Sequence, residues 1–211
     1  MLKSNVIELE PTTSTDASTP IVVYKDGFLK SATKQEITGE GYSIIEIPLT
    51  QGKQTALDKP DYDYTNMGYA FDKNSAAEIL VLTAQLPHSY KEGTDVTPYL
   101  HWKQDLATPL PVWTIKWRWY NNGAQTPAWS AAVEVDTAIH DFVVTDPAGI
   151  TAQVSAFPAL TGTGKTVSSI IEIQLYRKAT NIAEEGDAIA TSFSLHYYAD
   201  SLGSSAQFTK S

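Results

Sequence analysis

The sequence predicts an all-β fold, an antiparallel, jelly-roll-like β-sandwich that carries an extended N-terminal arm. Three observations predict it. Segments with strict alternation of apolar and polar residues recur from Tyr42 onward, turns rich in Gly, Pro, Asn and Asp separate them, and no segment sustains helical periodicity beyond two turns. We expect about nine or ten short strands in all.

The arm is predicted from a change in composition near residue 40. Segment 10–20 is small, polar and closed by Pro20, so it has too little apolar surface to offset the entropy of ordering by itself. We therefore predict a docking arm or linker over residues 1–40 and a β-sandwich domain over 41–211. The arm contains two short apolar pieces that could make assembly contacts: Val6, Ile7, Ile21, Val22, Val23 and Tyr24.

The strands of the sandwich are predicted from their period of two. Residues 76–82 could also form a buried helical turn, but their β-branched content and Pro87 favour a strand. In chain order, the expected strands are Tyr42–Leu49, Ala76–Leu82, Thr97–Trp102, Val112–Tyr120, Ala131–Val135, Phe142–Val144, Ile171–Arg177 and Phe193–Tyr198.

The strand at 112–120 has the strongest pattern. Its alternation places Trp113, Ile115, Trp117 and Trp119 on one face, and Asn121-Asn122-Gly123 then predicts a turn. An exposed stacking platform for sugars would also need such a row of Trp. Because all four residues share one face, we expect them to fill the core instead.

Composition excludes several classes of function. The chain has 15 basic and 24 acidic residues and therefore a net charge of −9. This charge argues against sequence-independent binding to nucleic acid and against binding to an anionic membrane. No apolar run approaches the roughly 18 residues of a membrane span. The absence of Cys removes disulfides, thiolate nucleophiles and Cys-based metal sites.

The segment Thr161-Gly162-Thr163-Gly164-Lys165-Thr166 is similar to a phosphate-binding loop. The position of the first Gly in that motif is Ala159, and a strand is predicted after the segment where nucleotide binding needs a helix N-terminus. We interpret the segment as a Gly-rich turn between strands.

The sequence contains only weak signals of metal binding or catalysis. His101 and His196 could face a common ligand if their strands are neighbours, but a third ligand at fixed spacing is missing. Asp61-x-Asp63-x-Thr65 resembles the start of a calcium loop, although Asn66 stands where that loop needs Gly. We predict no catalytic residue, no metal and no cofactor. The strand carboxylates Glu46, Glu78, Glu134 and Glu172 are expected to be solvated, which leaves a glycan hydrolase as a weak alternative.

Residues 58–72 combine Asp and Asn with four aromatic side chains: Tyr62, Tyr64, Tyr69 and Phe71. Tyr offers a large contact area and a hydroxyl group, so this mixture suits a contact surface for protein or sugar. An ordinary solvated loop is the alternative.

Four blocks of sequence resemble a family of tailed-bacteriophage and prophage proteins found among virion structural genes. The first block is Leu86-Pro87-His88-Ser89-Tyr90-Lys91-Glu92-Gly93-Thr94-Asp95 with Pro98-Tyr99-Leu100-His101-Trp102. The others are Trp117-Arg118-Trp119-Tyr120-Asn121, Phe157-Pro158-Ala159-Leu160-Thr161-Gly162 and His196-Tyr197-Tyr198-Ala199-Asp200-Ser201-Leu202-Gly203-Ser204. Within the first block, polar contacts of His88, Tyr90, Lys91, Glu92 and Asp95 are expected to fix the loop at 87–98.

The resemblance implies a non-enzymatic virion component, in the head, neck or tail, made in the host cytoplasm and assembled with other virion proteins. A homo-oligomer, for example a trimer, is expected. The alternative is a carbohydrate-binding or receptor-binding module of the particle that recognises a host glycan.

Overall fold

The computed structural model describes residues 21–25, 28–32, 41–54, 59–104, 110–136, 151–179 and 188–200. The chain divides into two compact units, Met1–Glu40 and Gly41–Ser211. In the first unit, strands β1 (Ile21–Lys25) and β2 (Phe28–Ala32) pair as an antiparallel hairpin. Val6 and Ile7 lie outside the described residues, and only the backbone of Ile21, Val22, Val23 and Tyr24 is described.

In the described part of the second unit, strands are joined by turns, and a 3-10 turn lies at Leu49–Gln51. Its strands are β3 (Gly41–Pro48), β4 (Lys53–Gln54), β5 (Asp61–Asp63), β6 (Gly68–Phe71), β7 (Leu80–Gln85), β8 (Val96–Gln104), β9 (Trp113–Tyr120), β10 (Val133–Val135), β11 (Thr151–Ala156), β12 (Ile170–Arg177) and β13 (Ala188–Ala199). No helix in the described part of the chain is long and apolar enough to cross a membrane.

The strands form two antiparallel sheets with jelly-roll order. One sheet runs β11-β8-β13-β6-β5, and β3 pairs with β13 beyond the end of β6. The other runs β10-β9-β12-β7-β4. The eight main strands are therefore arranged as β3-β13-β8-β11 in one sheet and β7-β12-β9-β10 in the other, the double Greek-key order of a jelly roll. The predicted jelly-roll-like sandwich is confirmed.

Most predicted strands are present, with shifted ends. The strand predicted at 76–82 begins only at Leu80, because the preceding residues turn: the Glu78 carboxylate accepts the backbone N–H of Asp72 at 2.7 Å. The strand predicted at 131–135 is shortened to Val133–Val135. The one predicted at Phe142–Val144 lies outside the described residues.

The core lies between the two sheets and uses the Trp face of β9, as predicted. Trp113, Ile115 and Trp119 are buried, and Trp117 is partly buried against the same core. Trp113 packs edge-on against Phe71 of the opposite sheet, with ring centroids 5.4 Å apart. These indole rings are therefore unavailable as a sugar-stacking platform.

Candidate functional site

Three of the four blocks that resemble phage virion proteins meet at one end of the sandwich. The N–H of Lys91 donates to the carbonyl of Tyr198 at 2.8 Å, which joins the first block to the last. The N–H of Gly162 donates to the Asp95 carboxylate at 2.9 Å, which joins the middle block to the first. Segments far apart in sequence thus form one connected loop cluster.

The polar contacts predicted for the loop at 87–98 are confirmed. The Glu92 carboxylate accepts the backbone N–H of Val167 at 2.9 Å, and the His88 ring lies 3.2 Å from the Ser168 hydroxyl oxygen. These contacts hold the loop between β7 and β8 against the loop that leads into β12.

Tyr90 is the buried centre of that loop. Its hydroxyl donates to the carbonyl oxygen of Thr94, four residues later. Burial raises the pKa of Tyr90 to about 12, because the charged phenolate would lose its hydration. The hydroxyl therefore stays a hydrogen-bond donor throughout the neutral range.

The segment that is similar to a phosphate loop is a turn, as predicted. The backbone of Gly164 has a φ of 73°, and strand β12 follows where a nucleotide site would need a helix. The Lys165 ammonium donates to the carbonyl of Trp119 at 2.8 Å, and the Asn121 amide donates to the carbonyl of Gly164 at 2.9 Å. The lysine thus serves to fasten the turn to the end of β9.

An exposed aromatic pair lies beside this loop cluster. Tyr42 of β3 packs edge-on against Tyr198 of β13, with ring centroids 5.5 Å apart, and the Lys91 ammonium lies 5.1 Å from the Tyr198 centroid. The pair borders an open cleft of about 530 Å³ whose lining includes Asp95 and Thr97. Sequence reasoning missed this pair, because Tyr42 and Tyr198 are brought together only by the β3–β13 register.

Strand β3 is a long edge strand with exposed apolar side chains. It pairs with β13 on one side, and within the described residues no strand pairs with its other side. Tyr42 is 82% exposed and Ile44 is 54% exposed. Both point to the outer face of the sheet, together with Glu46.

The two histidines considered for a shared ligand are neighbours. His101 of β8 and His196 of β13 line one pocket of about 270 Å³ on the outer face of the six-stranded sheet, together with Tyr99, Ser194 and Glu46. The Tyr99 and His196 rings lie 4.2 Å apart between centroids. We name this the histidine pocket.

The environment of the histidine pocket disfavours protonation of His196. Partial burial lowers the pKa of His196 below its usual value of 6.5, and the nearby His101 lowers it further. Among the described residues, no group of three His, Asp or Glu side chains is placed to hold a metal ion. The polar lining of the pocket therefore consists of two imidazoles, two hydroxyl-bearing side chains and one carboxylate.

Three of the four predicted aromatic contact residues cluster on the β5–β6 hairpin. The Tyr62 ring packs edge-on against Tyr64 and Tyr69, at centroid distances of 4.9 and 5.1 Å, and Tyr64 is 83% exposed. Phe71 was predicted for the same surface, and that prediction is wrong. It is 1% exposed, because β6 turns its last side chain inward onto Trp113.

The residues that resemble the start of a calcium loop form a hydrogen-bonded hairpin turn. The Asp63 carboxylate accepts the backbone N–H groups of Thr65 and Asn66 at 2.8 and 3.0 Å and the Asn66 side-chain amide at 2.7 Å. These bonds lower the pKa of Asp63, with the Asn66 side chain as the largest cause. Asp63 thus caps the hairpin turn that its own strand enters.

Two of the strand glutamates are paired with cations. Glu172 forms an ion pair with Arg118, its cross-strand neighbour, and accepts the Tyr120 hydroxyl at 3.2 Å. Glu134 pairs with Lys178 at 2.7 Å on a more exposed part of the surface. Both carboxylates are therefore engaged by neighbouring cations.

No protein-family model matches the chain, and no curated protein matches it. Among solved structures, it is similar to a family 35 carbohydrate-binding module from Cellvibrio japonicus Abf62, with 13% identity and a TM-score of 0.34 over 72% of this chain and 92% of that one. It is also similar to a structure of infectious bursal disease virus, with 10% identity and a TM-score of 0.34, over 84% of this chain and 36% of that one. A third likeness is to tailspike protein 4 of bacteriophage CBA120, with 11% identity and a TM-score of 0.31, over 79% of this chain and 20% of that one. At TM-scores this low, none of these likenesses carries an argument about function.

Proposed function

We propose that the protein is a non-enzymatic structural component of a bacteriophage particle, and that its sandwich docks on neighbouring subunits through the edge strand β3. The single observation that carries this proposal is the unpaired outer side of β3, in the described part of the chain, together with its exposed Tyr42 and Ile44. The resemblance of the sequence blocks to virion proteins supports the assignment to a phage particle.

Edge strands of soluble domains are normally protected, because their free N–H and C=O groups can pair with a strand of another chain. The outer strands β4, β5 and β10 are only two or three residues long, and the outer strand β11 has six residues. Strand β3 is eight residues long and has no Lys or Arg, and its Pro48 comes at the very end. It is therefore the longest edge strand of the two sheets within the described residues.

The side chains of β3 add an apolar contribution to docking. Full burial of a side chain the size of Ile contributes roughly 1.5–3 kcal/mol. Tyr42 and Ile44 lie two residues apart on the same face, so one partner surface could cover both. A homo-oligomer, including a trimer, and contacts with other virion proteins are both compatible with such an edge.

The proposal is tested by placing a charge on the edge. The substitution Ile44→Lys should leave the isolated protein folded but reduce its incorporation into phage particles at least about tenfold, because a desolvated Lys opposes strand docking. Met67→Lys is the matched control, since Met67 is also an exposed apolar residue but lies in the hairpin turn. Wild-type incorporation of a folded Ile44→Lys variant would overturn the proposal, and Tyr42→Lys provides a second variant.

The arm is part of the same proposal. Gly41–Ser211 is a compact unit by itself, so deletion of residues 1–40 should leave a folded β domain. If residues 1–40 dock on the particle, the truncated chain should fail to join it. Normal incorporation would remove the docking role of the arm while leaving the role of β3 untouched.

A second candidate function is recognition of a host glycan, and the exposed Tyr42–Tyr198 pair beside the cleft at Asp95 favours it. Aromatic rings next to carboxylate and hydroxyl groups suit the mixed apolar and polar surface of a sugar. A glycan array with wild-type protein and Tyr42→Ala tests it. Complete silence of the wild-type protein on host polysaccharides would exclude this function.

A further inference from the structure

We propose that the histidine pocket binds a single neutral hydroxylated ring, a monosaccharide unit, with the Ser194 hydroxyl as its central anchor. The proposal rests on the second candidate function, glycan recognition, and assigns it a site distinct from the Tyr42–Tyr198 pair.

The first argument is the state of Ser194. This side chain is 3% exposed, lines the pocket, and has a hydroxyl oxygen without a hydrogen-bond partner among the described residues. Buried hydroxyl groups are nearly always hydrogen-bonded, because an unsatisfied one costs about 1–3 kcal/mol. An unpartnered hydroxyl at a pocket wall is therefore a position where a ligand group is expected.

The second argument is the arrangement of the groups around Ser194. Glu46 is its cross-strand partner on β3, and Tyr99 is its partner on β8. His101 and His196 complete the polar lining of the pocket. Four adjacent strands thus contribute to the site, since Val154 of β11 closes the pocket beside His101.

The chemistry of the lining selects a neutral ligand. An anion such as phosphate would meet the Glu46 carboxylate, and the described lining contains no Lys or Arg to compensate for it. A metal ion lacks a set of three ligating side chains among the described residues. Hydroxyl groups, which both donate and accept, can satisfy Glu46, the imidazoles and Ser194 together.

The shape of the lining agrees with a sugar ring. Ile44 and Val154 supply apolar contacts, and such residues suit the C–H face of a pyranose. The pocket volume of about 270 Å³ lies just below the roughly 300–1,000 Å³ of sites for drug-sized ligands, so one ring fits better than an extended chain.

The test is an NMR titration of the full chain with the methyl glycosides of glucose, galactose, mannose, rhamnose and N-acetylglucosamine, each to about 50 mM, which detects millimolar dissociation constants. We expect saturable shifts of the His101 and His196 ring resonances with at least one glycoside. Ser194→Ala should weaken that binding about tenfold, the equivalent of one hydrogen bond. Ser192→Ala is the matched control, because Ser192 lies on the same strand and face but does not line the pocket.

The possible outcomes distinguish failure of the histidine-pocket proposal from failure of glycan recognition itself. Absence of saturable shifts at both histidines with all five glycosides overturns the pocket proposal, as does equal affinity of Ser194→Ala and wild type. If a glycan array is positive but is abolished by Tyr42→Ala alone, glycan recognition stands and the histidine pocket is not its site. Ser194→Ala is expected to unfold at the wild-type temperature, so a loss of binding would not reflect misfolding.

Discussion

Gly162 lies so close to Thr94 that a β-carbon on Gly162 would be 1.7 Å from the Thr94 carbonyl oxygen. Two backbones that meet at this distance cannot accommodate a side chain without moving one of the loops. Gly162→Ala should therefore destabilise the domain by about 3 kcal/mol, measured by urea unfolding. Gly41→Ala is the control: a β-carbon added there would have nothing within 4 Å, so its stability should change by less than about 0.5 kcal/mol.

The hydroxyl of Tyr90 is predicted to stabilise the same loop. Tyr90→Phe removes the donor to the Thr94 carbonyl and should lower the free energy of unfolding by about 1–2 kcal/mol. Tyr64→Phe changes an exposed hydroxyl and should have almost no effect. Equal stability of Tyr90→Phe and wild type would show that the loop does not depend on this bond.

Ion pairs of different exposure are predicted to differ in strength. Arg118 and Glu172 have side-chain exposures of 27% and 19%, whereas Lys178 and Glu134 have 50% and 45%. Solvent screens the second pair more, so Glu172→Gln should cost about 1 kcal/mol and Glu134→Gln less than about 0.5 kcal/mol. Thermal unfolding at low ionic strength measures both. The reverse order would contradict the structure.

Protonation of His196 is predicted to destabilise the fold. Its pKa in the folded protein is lowered from 6.5, by burial first and by His101 second, so the unfolded chain binds the proton more readily. The contribution of His196 to the free energy of unfolding is therefore fully present above pH 6.5. It falls as the pH drops below that value, until His196 is protonated in the folded protein as well. His196→Gln should flatten this part of the stability curve, and His88→Gln, outside the pocket, should not. Identical curves for wild type and His196→Gln would refute the assignment.

Features that depend on local pattern could be predicted from the sequence. The alternation of Trp113, Ile115 and Trp119 identified a buried strand face, because a period of two is visible without knowing the neighbouring strand. Polar residues such as Glu92 were correctly expected to fix their loop, although their partners, such as Val167, could not be named.

Features set by long-range register could not be predicted. Ser194 meets Glu46 only because β13 pairs with β3, two segments about 150 residues apart in the sequence. Phe71 was misplaced since β6 has only four residues, too few for alternation to show which face is inward. Strand β13 begins at Ala188 rather than at the predicted Phe193, because the register shift between Ala190 and Ser192 interrupts its alternation.

Docking through β3 is tested most directly by amide hydrogen exchange of residues 41–48, compared between the free protein and the protein in the assembled phage particle. In the free protein, the amides on the unpaired side of β3 should exchange quickly, whereas those bonded to β13 should be slow. Assembly should slow the fast set at least about a hundredfold, because strand pairing or packing removes those amides from water. Unchanged exchange of residues 41–48 in the particle would contradict the proposed role of β3.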